Sequence, residues 1–379
     1  MAATLDAFRC LGVSIAATGP NAVRIDGTGW AGLKTPTGTL DARNSGTTLR
    51  LMAGLLAGRP LNVSLTGDDS LRRRPMSRVV TPLEAMGARI RTTDGRAPIA
   101  IEGGGLAGIE WQPPIPSAQV KSTLMLAGLS ASGVTTVVEP LETRDHSERA
   151  FPVFGLTARV ANGRISVDGG QEASAPATPL DVPGDPSSAA VWAAVAAALP
   201  GSSVRIDHVL LNPRRIGFVN ALREMGAEIT ISASAELHGE TVGSIEIRHG
   251  SHGTCVIGEH AVPDLIDELP VLAARAALGG RLEVSGAREL RVKESDRISA
   301  LVRGFHELGV DADERPDGFV INGARRPSGG TVDAAGDHRL VMAFALVGLG
   351  ASGPTTIRGA EAVAVSYPGF ARDLAALTA

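Results

Sequence analysis

The residues best suited to chemistry fall in short polar stretches, each directly before a long apolar segment: DARNSGTT, PSAQVKS, PGDPSS, PDLIDE and GDHR. If the apolar segments are helices, these stretches are their N-termini, where N–H groups lack intrahelical partners and the macrodipole is positive. Several such ends meeting in one cleft would bind an anion. Ser, Asn and Asp at these positions also serve as plain N-caps, so one stretch alone signals no more than a helix start. The basic residues sharpen the reading because they are clustered: Arg72, Arg73 and Arg74 in SLRRRPM, Arg291, Lys293 and Arg297 in RVKESDR, His338 and Arg339 in DHR. A guanidinium fork suits bidentate binding of carboxylate or phosphate. Arg72 and Arg73 read as solvated surface charge. Lys293 and Arg297 are spaced i, i+4 with Glu294 adjoining, which on a helix is equally an ion-pair ladder. The glycines of EGGGLAG complete no phosphate-loop motif.

Two kinds of segment must position these residues, and they alternate along the chain. One is an Ala/Gly-rich apolar helix running into a strand: TTLRLMAGLLAGRPLNVSL, KSTLMLAGLSASGVTTVVE, SSAAVWAAVAAALPGSSVRI, ELPVLAARAALGGRLEVSG and RLVMAFALVGLGASGPTTIRG. The other is an amphipathic helix: TLDAFRCLGVSI, RVVTPLEAMGARI, RAFPVFGLTARV, GFVNALREMGAEI, ISALVRGFHELGVDA and YPGFARDLAAL. A helix apolar all round must be buried, whereas the amphipathic one lies at the surface. Gly12, Gly87, Gly155, Gly226 and Gly309 punctuate the second kind at intervals of 75, 68, 71 and 83 residues, too long for a solenoid repeat. Each interval reads as a small α/β unit. The Ala/Pro/Gly-rich stretch GGQEASAPATPLDVPGDPSS splits the chain near residue 182 into two similar globules, 1–182 and 183–379.

Composition excludes several classes. The 379 residues are 44% hydrophobic and 20% charged, with a formal net charge of −4, so no basic field points to nucleic acid. Cys10 and Cys255 are too few for a disulfide framework or a zinc site, which fits a reducing, cytoplasmic setting. The longest apolar run, AAVWAAVAAAL, is well short of the ~20 residues a membrane span needs.

Taken in order, NSGTTLR (44–50), LRRRPM (71–76), SAQVKS (117–122), RDHSER (144–149), GDPSSAA (184–190), VKESDR (292–297) and DHR (337–339) resemble the enolpyruvyl transferases, most closely the branch acting on shikimate 3-phosphate. The resemblance runs over essentially the whole chain. It implies an inside-out α/β barrel: two globules, each of three βαβαββ units, closing on substrates at their interface. It also implies transfer of the enolpyruvyl group of phosphoenolpyruvate to the 5-hydroxyl of shikimate 3-phosphate, with release of phosphate, in the route to chorismate and aromatic amino acids. Neither metal nor organic cofactor is implied.

Carried over by position, Gly46 with Asn44 and Thr47 lets a helix N-terminus approach phosphoenolpyruvate, and Arg74 binds it. Arg297 and Arg339 resemble guanidinium clamps on the same substrate, with His338 beside them. Ser117, Gln119 and Arg144 resemble binders of shikimate 3-phosphate; Ala118 stands where some members have serine, leaving its backbone to contribute. Asp264 is placed to accept the proton of the attacking hydroxyl, and Lys293 and Glu294 to handle the protonation and deprotonation at the vinyl carbon.

The sequence also departs from the family. Val365 and Ser366 stand where some relatives have a lysine, and Glu289 replaces an asparagine-like residue. The family's opening strand and its P-G-(D/S)-K-S segment with a following arginine have no counterpart, so the first and last units are expected to be incomplete. Three other readings therefore stand beside an active synthase. One is a homologue that kept the fold and lost turnover, and another is a chain needing the segment from a separate polypeptide. The third is UDP-N-acetylglucosamine enolpyruvyl transferase, whose reactive cysteine is absent from Asp68-Asp69-Ser70-Leu71 before Arg74-Pro75.

Overall fold

In the computed structural model, which describes residues 1–19, 22–176, 178–323 and 325–378, one order of elements recurs: strand, buried helix, parallel strand, surface helix, antiparallel hairpin. The chain divides into two units, Met1–Thr178 and Pro179–Ala379, the division lying inside the Ala/Pro/Gly-rich stretch.

The first unit opens on half of the pattern, helix α1 (Ala2–Cys10) and the hairpin of Ser14–Gly19 with Ala22–Asp26. Two full copies follow. In one, Leu40–Asp41 pairs in parallel with Asn62–Thr66 across α2 (Gly46–Ala57). Helices α3 (Asp69–Arg73) and α4 (Ser77–Ala85) then lead into the hairpin of Arg89–Thr93 with Arg96–Glu102. In the other, Glu110–Trp111 pairs in parallel with Val134–Val138 across α5 (Ala118–Gly128), and α6 (His146–Val153) leads to the hairpin of Ala158–Ala161 with Arg164–Asp168.

In the second unit the opening strand of the first copy is reduced to a parallel bridge between Gly184 and Val209. It flanks α7 (Pro186–Ala198), and α8 (Gly217–Glu224) leads to the hairpin of Glu228–Leu237 with Glu240–Arg248. Next, Thr254–Ile257 pairs in parallel with Arg281–Val284 across α9 (Val262–Leu265) and α10 (Leu269–Ala277). Helix α11 (Arg297–Glu307) leads to the hairpin of Asp311–Arg315 with Gly318–Asn322. The closing elements supply the opening part of the pattern: Gly330–Asp333 parallel to Thr355–Arg358 across α12 (His338–Gly350), then α13 (Phe370–Leu377). The βαβαββ units are as expected, with the first and last incomplete and each containing a surface helix, α1 and α13. Among the described residues no sheet closes into a barrel.

The two kinds of helix occupy the layers their patterns demand. All nine residues of α10 are buried, and α2, α5, α7 and α12 are likewise interior, α2 against α5 and α7, α10 and α12 against one another. Helices α4, α8 and α11 bury one stripe, such as Phe218, Val219, Ala221 and Leu222 of α8. Each outer helix before a hairpin ends on the glycine noted above, all five of these at φ between 71° and 103°. The next residue donates to the carbonyl five positions back at 2.9–3.0 Å, as in Val13 to Phe8, Ala88 to Leu83, Leu156 to Phe151, Ala227 to Leu222 and Val310 to Phe305. This left-handed stop satisfies the last carbonyls and turns the chain into the hairpin; a Cβ there would be strained. Among the described residues no helix is long and apolar enough to cross a membrane.

Candidate active site

Four of the five polar stretches do cap their helices. Ser45 accepts from Thr48 N, Ser117 from Val120 N, Asp185 from Ser187 N and Asp337 from Arg339 N, at the starts of α2, α5, α7 and α12. Glu268 stands at the N-cap of α10 without a side-chain cap bond. Capping and anion binding are not exclusive, because one side chain satisfies one of several exposed N–H groups.

In the first unit, the N-termini of α2 and α5 are joined through Gln119, whose Nε2 donates to Thr47 Oγ1 at 2.9 Å and whose Oε1 accepts from Arg50. Asn44 donates to Asp68 at 2.7 Å and accepts from Arg74 NH2 at 3.3 Å. Gly46 is buried between two guanidiniums: a Cβ there would lie 3.1 Å from Arg50 NH1 and 3.4 Å from Arg74 NH1. Asn44, Gly46, Thr47, Arg74 and Gln119 are thus brought into one cluster, with two buried cations beside a positive helix end. Ser117 and Ala118 start α5, half-buried, and Arg144 is half-buried in the loop before α6. Arg72 pairs on the surface with Asp69, as its solvated reading requires.

In the second unit, the three inner helices bring their N-termini together. Ser187 of α7 donates to Glu268 at the start of α10, and Arg339 of α12 lies 3.8 Å from Asp267 just before α10. Arg297, 1% exposed, donates from Nε to Asp337 Oδ2 at 2.8 Å and from NH2 to Glu294 Oε2 at 2.5 Å, while NH1 lies 3.9 Å from Asp267 and makes no hydrogen bond. Burial opposes the guanidinium charge, yet Asp337 and Glu294 hold its pKa above the ordinary arginine value. Burial, then Arg339, lowers the pKa of His338 against the pull of Asp337, favouring the neutral imidazole. Asp264, on the short helix α9, lies 3.4 Å from Arg214 NH1.

Only part of the ladder suggested by the spacing of Lys293 and Arg297 forms. Residues 288–292 are a 3-10 turn and α11 begins at Arg297, so Lys293 pairs back with Glu289 at 3.5 Å and Glu294 pairs with Arg297. Sequence reasoning did not single out Arg50, Asp267 or Asp337 for the site. Arg50 ends the quoted NSGTTLR and falls one turn after Gly46, so helical spacing from the glycine was the available signal; Asp267 and Asp337 join through tertiary packing.

Comparison with known proteins shows what the whole chain is similar to. The family model described as EPSP synthase (3-phosphoshikimate 1-carboxyvinyltransferase) matches residues 1–374. The chain is 49% identical over 371 residues to a 3-phosphoshikimate 1-carboxyvinyltransferase of Methylococcus capsulatus, covering 97% of this chain and 84% of that protein. It is 47% identical to the protein of the same name from Halorhodospira halophila, covering 97% and 83%. A solved EPSP synthase from Acinetobacter baumannii superposes with a TM-score of 0.84 at 41% identity, covering 99% of this chain and 86% of that one.

Proposed function

The chain belongs to the EPSP synthase (3-phosphoshikimate 1-carboxyvinyltransferase) family of transferases, and on that premise we propose that it moves the enolpyruvyl group of phosphoenolpyruvate onto the 5-hydroxyl of shikimate 3-phosphate, releasing phosphate, in the cytoplasm. Both substrates are polyanions. The observation that carries the reading is the meeting of three helix N-termini beside Arg297 and Arg339, so that helix ends and guanidiniums, the latter held by Asp337, Glu294 and Asp267, are already in place when anionic charge arrives.

In the first unit, Gly46, Asn44, Thr47 and Arg74 bind phosphoenolpyruvate, while Ser117, Gln119, Arg144 and the backbone of Ala118 bind shikimate 3-phosphate. In the second, Arg297, through its NH1, and Arg339, His338 and Lys293 bind phosphoenolpyruvate. Asp264 takes the proton of the attacking 5-hydroxyl as its oxygen bonds to the vinyl carbon bearing phosphate. Lys293 and Glu294 manage the proton that arrives at the neighbouring methylene carbon and leaves again as phosphate departs.

Phosphate release measured with both substrates, and with each alone, tests this. Release is expected with both together and with neither alone; none at high enzyme concentration, with or without an added Pro-Gly-(Asp/Ser)-Lys-Ser peptide, would overturn the reading. Asp264→Asn is expected to lower turnover at least about 100-fold while substrate binding persists. The expected need for a Lys/Ser/Arg segment is tested in the same assay. A peptide bearing Pro-Gly-(Asp/Ser)-Lys-Ser raises the rate if that segment completes the site and leaves it unchanged if it does not.

A further inference from the structure

Lys121 lies one turn into α5 with its side chain 1% exposed, and no role above uses it. Its Nζ is 2.6 Å from Glu148 Oε1 and 2.8 Å from Glu139 Oε2, carboxylates whose side chains are 8% and 5% exposed. It also donates to the carbonyl oxygen of Thr143 at 3.5 Å, and the Thr143 hydroxyl donates to Glu139 Oε1 at 2.5 Å. One ammonium therefore holds both ends and the middle of segment 139–148. The near end is fixed to the sheet, Glu139 N donating to Gly163 O at 2.7 Å. The far end is fixed to α5 by the Ser122 and Ser147 hydroxyls, 2.6 Å apart.

Two buried carboxylates against one ammonium is an expensive way to anchor a loop, since desolvating ions usually offsets their attraction. Burial pushes the Glu148 carboxyl above its ordinary value against the pull of Lys121, and its Oε2 has no hydrogen-bond partner. Apolar packing would hold the segment more cheaply, so the arrangement calls for a reason beyond stability. Arg144 directly follows Thr143 in this segment, and Ser117, Ala118 and Gln119 begin the helix that carries Lys121.

We propose that Lys121 is a positioning residue: shared by Glu139 and Glu148, its ammonium holds the segment carrying Arg144 in register with the N-terminus of α5, presetting the groups that meet shikimate 3-phosphate. This rests on the substrate roles assigned above. Presetting lowers the ordering cost of binding, so its loss falls on affinity for this one substrate.

The test uses the full chain, titrating shikimate 3-phosphate by calorimetry and measuring both KM values. Lys121→Gln is expected to weaken shikimate 3-phosphate binding about tenfold or more, with the KM of phosphoenolpyruvate moving less than about twofold. Lys121→Arg, restoring the cation, is expected to recover part of the loss. Thr143→Val leaves both ion pairs in place and is expected to weaken the same binding severalfold; it decides alone if Lys121→Gln does not fold. A purely structural role would lower kcat through a smaller active fraction and leave both KM values in place, which would overturn the proposal. If the wild type binds and Arg144→Ala weakens it, unchanged binding in the folded Lys121 and Thr143 variants overturns this inference alone. A wild type that does not bind shikimate 3-phosphate overturns the functional reading and this inference together.

Discussion

Arg297 and Asp337, 40 residues apart in the chain, form a buried ion pair in which Nε donates to Oδ2 at 2.8 Å and NH2 to Oδ1 at 3.3 Å. The same carboxylate accepts from the backbone N of Arg339 at 2.9 Å, so one side chain holds the guanidinium of Arg297 and caps the helix that carries Arg339.

Asp337→Asn keeps the shape and the capping oxygen and removes the charge. Breaking a buried pair costs about 3–5 kcal/mol, and Glu294 compensates part of it here. A loss of about 3 kcal/mol is expected in urea unfolding, and an unchanged midpoint would show that the pair contributes nothing. Burial acts to raise the Asp337 carboxyl, but Arg297 holds it below the ordinary value. A carboxylate lowered on folding stabilises above its unfolded pKa, near about 4, and that contribution is lost as pH falls through the folded value. The variant should therefore lose less stability than the wild type on acidification below about pH 4.

Gly46→Ala places a methyl 3.1 Å from Arg50 NH1 and 3.4 Å from Arg74 NH1, so a guanidinium must give way. The position is already helical, and alanine favours a helix over glycine by up to about 1 kcal/mol. Stability equal to or slightly above the wild type is expected, with the KM of phosphoenolpyruvate raised about tenfold by misplaced contacts. Unmoved KM values would remove Gly46 from the site.

The two thiols should separate cleanly. Cys10 is exposed, whereas burial, with Glu224 adding to it, pushes the buried Cys255 thiol up to about 12. The thiolate is the reactive form, so a disulfide reagent at about pH 8 should titrate one thiol in the native chain and the second after denaturation. Two fast equivalents would contradict the burial of Cys255.

Arg275 is fully buried and donates to three backbone carbonyls, Gly279 at 2.5 Å, Met225 at 3.0 Å and Ser251 at 3.1 Å, tying the end of α10 to the end of α8. Burial lowers its pKa to about 10. Arg275→Met strips buried carbonyls of their donor, at about 1–3 kcal/mol each, and should cost at least about 3 kcal/mol in thermal or urea unfolding. A loss below about 1 kcal/mol would mean the carbonyls find other donors.

The layering of this fold was legible from local pattern. Helices apolar on every side had to be inner, amphipathic ones outer, and the glycines at Gly12, Gly87, Gly155, Gly226 and Gly309 marked where each outer helix stops, because each of these properties is encoded within a few consecutive residues. Local pattern was less reliable where spacing alone was used: Lys293 and Arg297 sit at helical separation, but the helix begins only at Arg297, so the lysine turns to Glu289.

By itself the sequence determined the repeated α/β units, the family, and which short motifs carry the arginines and carboxylates. Tertiary structure decided which of those charges meet. Arg297 finds Asp337 because α11 packs on α12, Gln119 finds Thr47 and Arg50 because α5 packs on α2, and Lys121 finds Glu139 and Glu148 because the end of the Val134–Val138 strand and α6 close over it. Hydrophobic periodicity is a short-range property of the chain. A buried ion pair depends on two distant segments being desolvated at the same point, which only the packed core specifies.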